Sequence, residues 1–178
     1  FDASTKPPPK TGDFKKWIGN SEEQQAMWNV RSFLLLAKLG VDRAHLYYYN
    51  DDDTPHVHGS SGLTRNYQPK PAFHAVAWLR KSLGDYRFAK AVREDPAKGY
   101  VYEFTHGTDP QKRVLAVWKP AAPAVEETVE IGNGKISRAE RMPLKPGAAE
   151  QAELAKDENG KANVSFAEKP LLIWIEPE

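Results

Sequence analysis

The sequence predicts a chain of two parts, an α/β part over residues 1–84 and an antiparallel β-sandwich over 85–178. Two observations predict this division. Up to residue 84 the pattern runs loop, helix, strand, loop, helix, which is typical of parallel α/β folds. After residue 85, about seven short strand-like runs are separated by turn residues, which is typical of an antiparallel sandwich.

The first helix is predicted to begin after Ser21 and to end before Gly40. Ser21 and Gln24 have the spacing of a capping box, and the two glutamates between them suit the positive end of a helix dipole. Apolar residues recur at helical spacing over 26–37, and Gly40 supplies the C-terminal stop.

A strand is predicted over 44–50, where Ala-His-Leu-Tyr-Tyr-Tyr-Asn is rich in strand-forming residues. Three aspartates follow it at 51–53. The second helix is predicted from Pro71, a residue that suits the first helical position, to the residue before Gly84.

Strands in the second part are predicted at 86–92, 100–105, 113–118, 128–131, 135–141, 162–166 and 171–175. Gly-Thr-Asp-Pro at 107–110 and Gly-Asn-Gly at 132–134 predict hairpin turns. Trp118 and Trp174 lie within these strands, and we expect them in the core rather than on a carbohydrate-binding face.

The composition disfavours several classes of function. The chain has 25 Lys and Arg against 24 Asp and Glu, and a net charge of +1 gives no electrostatic footprint for nucleic acid. The absence of cysteine excludes disulfides, thiolate metal sites and a cysteine nucleophile. No apolar run reaches the roughly 18 residues that a membrane span needs, so no span is predicted.

Several motifs of the first part resemble the end of the barrel in retaining glycoside hydrolases of clan A, notably family 39. The matching segments are Gln25-Ala26 with Arg31-Ser32-Phe33-Leu34, then Leu39-Gly40-Val41-Asp42-Arg43, Tyr48, Gly62-Leu63, Pro69-Lys70-Pro71-Ala72-Phe73-His74-Ala75 and, in the tail, Glu168-Lys169-Pro170-Leu171. The resemblance implies the seventh helix, the eighth strand, its active-site loop and the eighth helix of a (β/α)8 TIM barrel. A small β-sandwich follows the barrel in that family.

The resemblance also implies where the catalytic groups lie. The family's nucleophilic Glu ends the seventh strand, just before a stretch like Phe1-Asp2-Ala3-Ser4-Thr5, and its proton-donating Glu ends the fourth strand. Since a barrel takes about 250 residues, neither Glu is expected in this chain, and the chain alone is expected to be inactive. We expect the rest of the barrel on a separate or cleaved polypeptide, or else this sequence, which begins with Phe1 rather than Met, to be a fragment of a longer chain. A carbohydrate substrate, no cofactor, and a secreted or periplasmic location are the remaining expectations.

The candidate substrate-binding residues lie at the C-terminal end of the predicted strand and in the loop before the first helix. They are Tyr47, Tyr49, Asn50, Asp51, Asp52 and Trp17. Tyrosines can stack on sugar rings, and strand alternation sends Tyr47 and Tyr49 to one face and Tyr48 to the other. For the aspartates at 51–53, a solvated turn is the favoured interpretation and hydrogen bonding to sugar hydroxyls is the alternative.

Two further alternatives stay open at this point. His56 and His58 form His-x-His beside the aspartates, but a polar loop explains the pattern better than a metal site, so no metal is predicted. The second function considered is a non-catalytic carbohydrate-binding or structural β-sandwich module. Exposed aromatic residues on one face of the sandwich would favour it.

Overall fold

The computed structural model describes residues 1–6, 10–15, 19–54 and 58–178, without the side chain of Asp13. Most of this structure is sheet, with two α-helices and a short 3-10 turn at Gly12–Phe14. The helices are α1 Glu22–Lys38 and α2 Pro71–Leu83. The strands are β1 Asn50–Asp51, β2 Thr64–Arg65, β3 Gln68–Pro69, β4 Tyr86–Asp95, β5 Gly99–His106, β6 Arg113–Trp118, β7 Val125–Glu130, β8 Lys135–Arg141, β9 Glu150–Gln151, β10 Lys161–Phe166 and β11 Leu171–Glu176.

Both helices begin where Ser21 and Pro71 predicted. The Ser21 hydroxyl accepts a hydrogen bond from the Gln24 N–H at 3.1 Å, and the Gln24 side-chain oxygen accepts from the Ser21 N–H at 3.0 Å. This reciprocal pair satisfies two N–H groups that have no partner within the helix. Pro71 is the first residue of α2, as predicted.

The seven strands predicted in the second part are all present, as β4 to β8, β10 and β11. Six strands form one antiparallel sheet in the order β4-β5-β6-β11-β8-β9, and β7 pairs with β10 in a separate two-stranded sheet.

The six-stranded sheet is the middle layer of three. Leu171, Ile173 and Ile175 of β11 belong to the core beneath the β7–β10 pair. Leu172 and Trp174 alternate with them and belong to the core beneath α1 and α2. Burial on both faces explains why β6 and β11 are almost continuously apolar.

The core beneath the helices crosses residue 84 and joins the two parts of the chain. It combines Val30 and Leu79 from the helices with the sheet residues of its face. Trp118 and Trp174 lie in this core, 3% and 4% exposed, which confirms their expected core position.

Arg31 of α1 makes a second connection to the sandwich. Its guanidinium is largely buried and donates to the carbonyl oxygens of Pro120, at 3.1 Å, and Glu168. Burial lowers the pKa of Arg31, and the charge of Glu168 partly opposes this. Two motifs of the family resemblance, around Arg31 and Glu168, are therefore in direct contact.

The strand predicted over 44–50 is largely absent. Only its last residue, Asn50, belongs to a strand, and 44–49 have neither helical nor strand pairing within the described residues. A β-strand exists through hydrogen bonds to a neighbouring strand, and composition does not supply that neighbour. The pairing that does form is parallel, with Asn50 opposite Thr64 and Asp51 opposite Arg65.

The hairpin predicted at Gly132-Asn-Gly134 is wrong. The segment connects β7 and β8, which belong to different sheets. Both glycines have positive φ, at 66° and 102°, so the Gly-Asn-Gly signal did indicate an unusual backbone. Neither helix in the described part of the chain has the length and apolar character needed to cross a bilayer.

Candidate functional site

The candidate site surrounds the C-terminal end of β1, at Asp51. Because β1 and β2 are parallel, the residues after Asp51 and those after Arg65 leave the small β1-β2-β3 sheet at the same edge. The Asn66 N–H donates to the Asp51 carbonyl oxygen at 2.8 Å and fixes this register. The segment that follows β1 and contains Asp52 and Asp53, here called the acidic loop, therefore begins beside the β2–β3 turn.

The Asp51 carboxylate is buried beneath this edge, with its side chain out of solvent. One of its oxygens, Oδ2, accepts from the Gly62 N–H at 2.9 Å and from Lys70 Nζ at 2.8 Å. The other, Oδ1, accepts from Arg65 Nε at 3.0 Å. The carboxylate thus accepts hydrogen bonds from three residues, and one of these bonds ties Asp51 to Gly62.

Lys70 is a buried ammonium directly before α2. It donates to Asp51 and, at 3.0 Å, to the Ser60 carbonyl oxygen. Burial lowers the pKa of Lys70, while the hydrogen bond and charge of Asp51 oppose that shift. The lysine therefore connects the start of α2 to both ends of the acidic loop.

Asp53 is buried as well, and it binds the N-terminal segment. Its carboxylate accepts from the Ser4 hydroxyl at 2.7 Å, from the Thr5 N–H at 3.1 Å and from the Thr5 hydroxyl. Burial opposes ionisation, but the hydrogen bonds from Thr5 and Ser4 and the charge of Arg65 outweigh it, so the pKa of Asp53 is lowered.

Arg65 joins these groups. Its guanidinium contacts Asp51, lies 3.5 Å from Asp53 Oδ1, and donates to Glu22 Oε1 at 2.7 Å and to the Ala3 carbonyl oxygen at 2.5 Å. One cation thereby connects the N-terminal segment, the first turn of α1 and the acidic loop.

The surface of the site carries exposed aromatic side chains. Tyr47 and Tyr49 are 72% and 60% exposed, and Tyr48 between them is half-buried. Burial and the adjacent Tyr47 raise the pKa of Tyr48. Asn50 is also half-buried, and its Oδ1 accepts from the Thr64 hydroxyl at 2.9 Å and from the Tyr67 N–H at 2.6 Å.

The structure agrees with the sequence expectations for some of the predicted site residues and disagrees for others. The favoured solvated turn is wrong for Asp51 and Asp53, which are buried, while Asp52 is exposed and accepts from the Thr54 N–H at 3.0 Å. Trp17 and His56 lie outside the described residues. No group of three metal-ligating side chains is found within the ranges that the structure describes.

Sequence reasoning missed three residues of this region. Lys70 and Arg65 hold Asp51, and Tyr67 is, at 78%, the most exposed large hydrophobic residue among those that the structure describes. Lys70 lies within the Pro-Lys-Pro motif, which predicted only a helix start. The available signal for Tyr67 was the Asn66-Tyr67 pair, which lies between the polar residues Arg65 and Gln68.

Comparison with solved structures identifies the fold. No protein-family model and no curated protein matches the sequence. The chain is similar to a family 39 glycoside hydrolase from Bacteroides cellulosilyticus WH2, with a TM-score of 0.67 and 20% identity over 88% of this chain. It is also similar to a family 30 subfamily 8 xylanase from Clostridium acetobutylicum, with a TM-score of 0.65 and 14% identity over 89% of this chain. A family 30 endoxylanase from Clostridium papyrosolvens C71 gives a TM-score of 0.58 and 12% identity over 86% of this chain.

This chain spans 31% of the family 39 enzyme and 40% and 38% of the two family 30 enzymes. The similarity lies in the fold, since the sequence identities are low. It confirms at that level the expected resemblance to the C-terminal part of a family 39 glycoside hydrolase.

Proposed function

We propose that the chain is the C-terminal portion of a glycoside hydrolase that cleaves glycosidic bonds in a poly- or oligosaccharide. The observation that carries the proposal is the fold similarity, which covers most of this chain but only 31% and 40% of the two most similar enzymes described above. On this proposal, residues 1–84 form the last units of a (β/α)8 barrel and 85–178 form the β-sandwich.

The surface around 44–49 supports the barrel assignment. This segment lacks strand pairing within the described residues, although it leads into the parallel β1–β2 pair. Leu39 and Val41, which precede it, are exposed. A neighbouring barrel strand and helix would pair with the segment and cover these side chains.

The proposed reaction is retaining hydrolysis. It uses two carboxylates about 5–5.5 Å apart, one as nucleophile and one as acid/base, and proceeds through a covalent glycosyl-enzyme intermediate. Both catalytic glutamates are assigned outside this chain. Active sites of (β/α)8 barrels lie at the C-terminal ends of the strands, so the C-terminal end of β1 would face the substrate.

This chain would contribute sugar contacts. The candidates are Tyr47, Tyr49, Asn50, Asp52 and Trp17. Asp51 has a different role on this proposal, because both of its carboxylate oxygens are occupied beneath the surface. It would position Asn50 and the acidic loop rather than touch the sugar.

The alternative, a carbohydrate-binding sandwich, has little support. Residues 85–178 are all described, and the only large hydrophobic side chain exposed among them is Val92. In the described part of the chain, the exposed aromatic residues lie instead at the N-terminus and around β1 to β3. A flat aromatic platform for sugar rings is therefore not available on the sandwich.

Intact-mass spectrometry and a hydrolysis assay test the proposal together. Mass spectrometry of the native preparation under denaturing conditions is expected to reveal a longer chain or a companion polypeptide that carries both glutamates. The full-length gene product containing this sequence is then incubated with xylan, β-glucan, mannan and arabinan. Xylan comes first, since two of the similar structures are xylanases.

We expect hydrolysis of at least one polysaccharide, with the first product keeping the anomeric configuration of the cleaved bond in proton NMR. Initial formation of the opposite anomer would refute the retaining mechanism. A lone folded 20.0 kDa monomer without activity on the panel would refute the proposed function. Because polymers of this kind lie outside the cell, we also propose that the protein is secreted or periplasmic.

A further inference from the structure

The β2–β3 turn has an unfavourable residue at its tip. Arg65 pairs with Gln68, which leaves Asn66 and Tyr67 as a two-residue hairpin loop. Their φ angles are 47° and 62°, and positive φ at both positions is the requirement of a type I′ turn. The second position of such a turn favours Gly strongly, because a Cβ is crowded at positive φ.

Burial of the Tyr67 side chain does not offset this unfavourable backbone conformation, because the side chain packs against little of the protein. Its 78% exposure exceeds that of every other large hydrophobic residue in the described chain. A bulky aromatic residue in a backbone conformation that disfavours it, without burial, suggests a functional role for the side chain.

The turn is nevertheless held firmly at the candidate site. The Tyr67 N–H donates to Asn50 Oδ1, and the Asn66 N–H donates to the Asp51 carbonyl oxygen. These two bonds fix the backbone from which the ring projects. The ring therefore projects from a backbone that is tied directly to Asn50 and Asp51.

The surroundings of the ring favour a sugar over a protein partner. Asn66 and Gln68, on either side of Tyr67, are exposed and polar. A large contiguous apolar patch, which commonly marks a protein-binding surface, is therefore not formed by the residues of this turn. A ring whose neighbours along the turn offer no apolar surface suits the small apolar face of a sugar ring instead.

We propose that Tyr67 is a further substrate-binding residue, whose ring stacks on a sugar unit of the bound polysaccharide. This inference rests on the proposed function, because it uses the same substrate and the same edge of β1. It adds a binding group that does not belong to the barrel strand itself.

A pair of glycine substitutions in the full-length gene product tests the role of the ring. Tyr67→Gly removes the ring and relieves the backbone, so we expect a higher Tm together with a KM raised about two- to twelvefold, if sugar stacking is comparable with aromatic pairing. The kcat should stay unchanged, because the contact binds substrate and transition state alike. Asn66→Gly relieves the same turn but keeps the ring, so its KM should equal that of the wild type.

Hydrolysis kinetics and affinity electrophoresis in gels containing xylan, β-glucan, mannan or arabinan provide the measurements. Tyr67→Phe, which keeps the stacking face, is expected to retain the wild-type KM within about twofold. A wild-type KM in Tyr67→Gly, or an equal loss in Asn66→Gly, would overturn the role of Tyr67 while leaving the proposed function intact. A wild-type protein that neither binds nor hydrolyses any of the four polysaccharides would overturn the proposed function, and this inference with it.

Discussion

Asp51 and Lys70 form a buried ion pair at the centre of the candidate site, with side chains 0% and 3% exposed. Removing two charges from water costs free energy, and their attraction and hydrogen bonds offset that cost. Burial lowers the pKa of Lys70, and the hydrogen bond and charge of Asp51 oppose that shift. The structural value of the pair therefore depends on both partners being present.

We predict that Lys70→Met lowers the free energy of unfolding by about 3 kcal/mol, because the buried carboxylate of Asp51 loses its ammonium partner. Urea denaturation of the purified protein measures the change. The double variant Asp51→Asn with Lys70→Met is expected to recover part of the loss. Lys81→Met, at an exposed position of α2, is the matched control and should change stability by less than about 0.5 kcal/mol. A similar loss in both lysine variants would contradict a specific role for the buried pair.

Asp53 predicts a pH dependence of stability. Because its pKa is lowered below the ordinary 3.8 in the folded state, the unfolded state binds more protons in the acid range. Its contribution to stability is thus fully present above the unfolded pKa and is lost as pH falls through the lower folded pKa. In Asp53→Asn, we expect a loss of stability that is constant above about pH 5 and shrinks below about pH 4.

Unfolding free energies measured from pH 7 to pH 3 check this expectation. Thr5→Val removes one hydroxyl donor to Asp53, so its pH dependence should lie between those of the wild type and Asp53→Asn. A loss in Asp53→Asn that stays equal at every pH would show that the carboxylate charge is not the stabilising feature.

At the scale of elements, local signals were sufficient for the helices. The Ser21 and Gln24 capping box and Pro71 act within one turn of chain, so the sequence places both helix starts. The Gly-Asn-Gly segment was different, because positive φ identifies a turn but not the strands that it connects. The two strands that this segment connects, β7 and β8, belong to different sheets.

Gly134 gives a prediction at this scale. A Cβ at this position would lie 2.5 Å from the Glu176 carbonyl oxygen, whereas a Cβ at Gly147 would meet nothing within 4 Å. Both residues have φ between 100° and 120°. Gly134→Ala should therefore cost about 1–3 kcal/mol more than Gly147→Ala, and paired denaturation curves measure the difference. Equal losses would mean that backbone conformation alone, without the contact to β11, determines the cost.

At the scale of the whole molecule, the six-stranded sheet couples the helices to the β7–β10 pair. β11 contributes alternate residues to the two cores, and Arg31 connects α1 to the loops after β6 and β10. The two proposed parts of the chain thus share buried surface.

We predict that this coupling makes unfolding cooperative. Leu172→Ala and Ile173→Ala remove buried side chains from opposite faces of β11, and each should cost about 3 kcal/mol. Circular dichroism at 222 nm, which follows the helices, and tryptophan fluorescence should lose their signals at one shared midpoint in both variants. If Ile173→Ala left the helical transition unchanged, the two cores would be independent.

The sequence by itself determined the helix starts, the seven strands of the second part and the apolar character of β6 and β11. These features follow from contacts within a few residues and from regular alternation along one strand. Tertiary structure alone decided that β7 pairs with β10, that Asp51 and Asp53 are buried, and that Tyr67 projects from the site. The partners of Asp51 and Asp53 lie 11 to 49 residues away, and no local pattern encodes a contact made across such a distance.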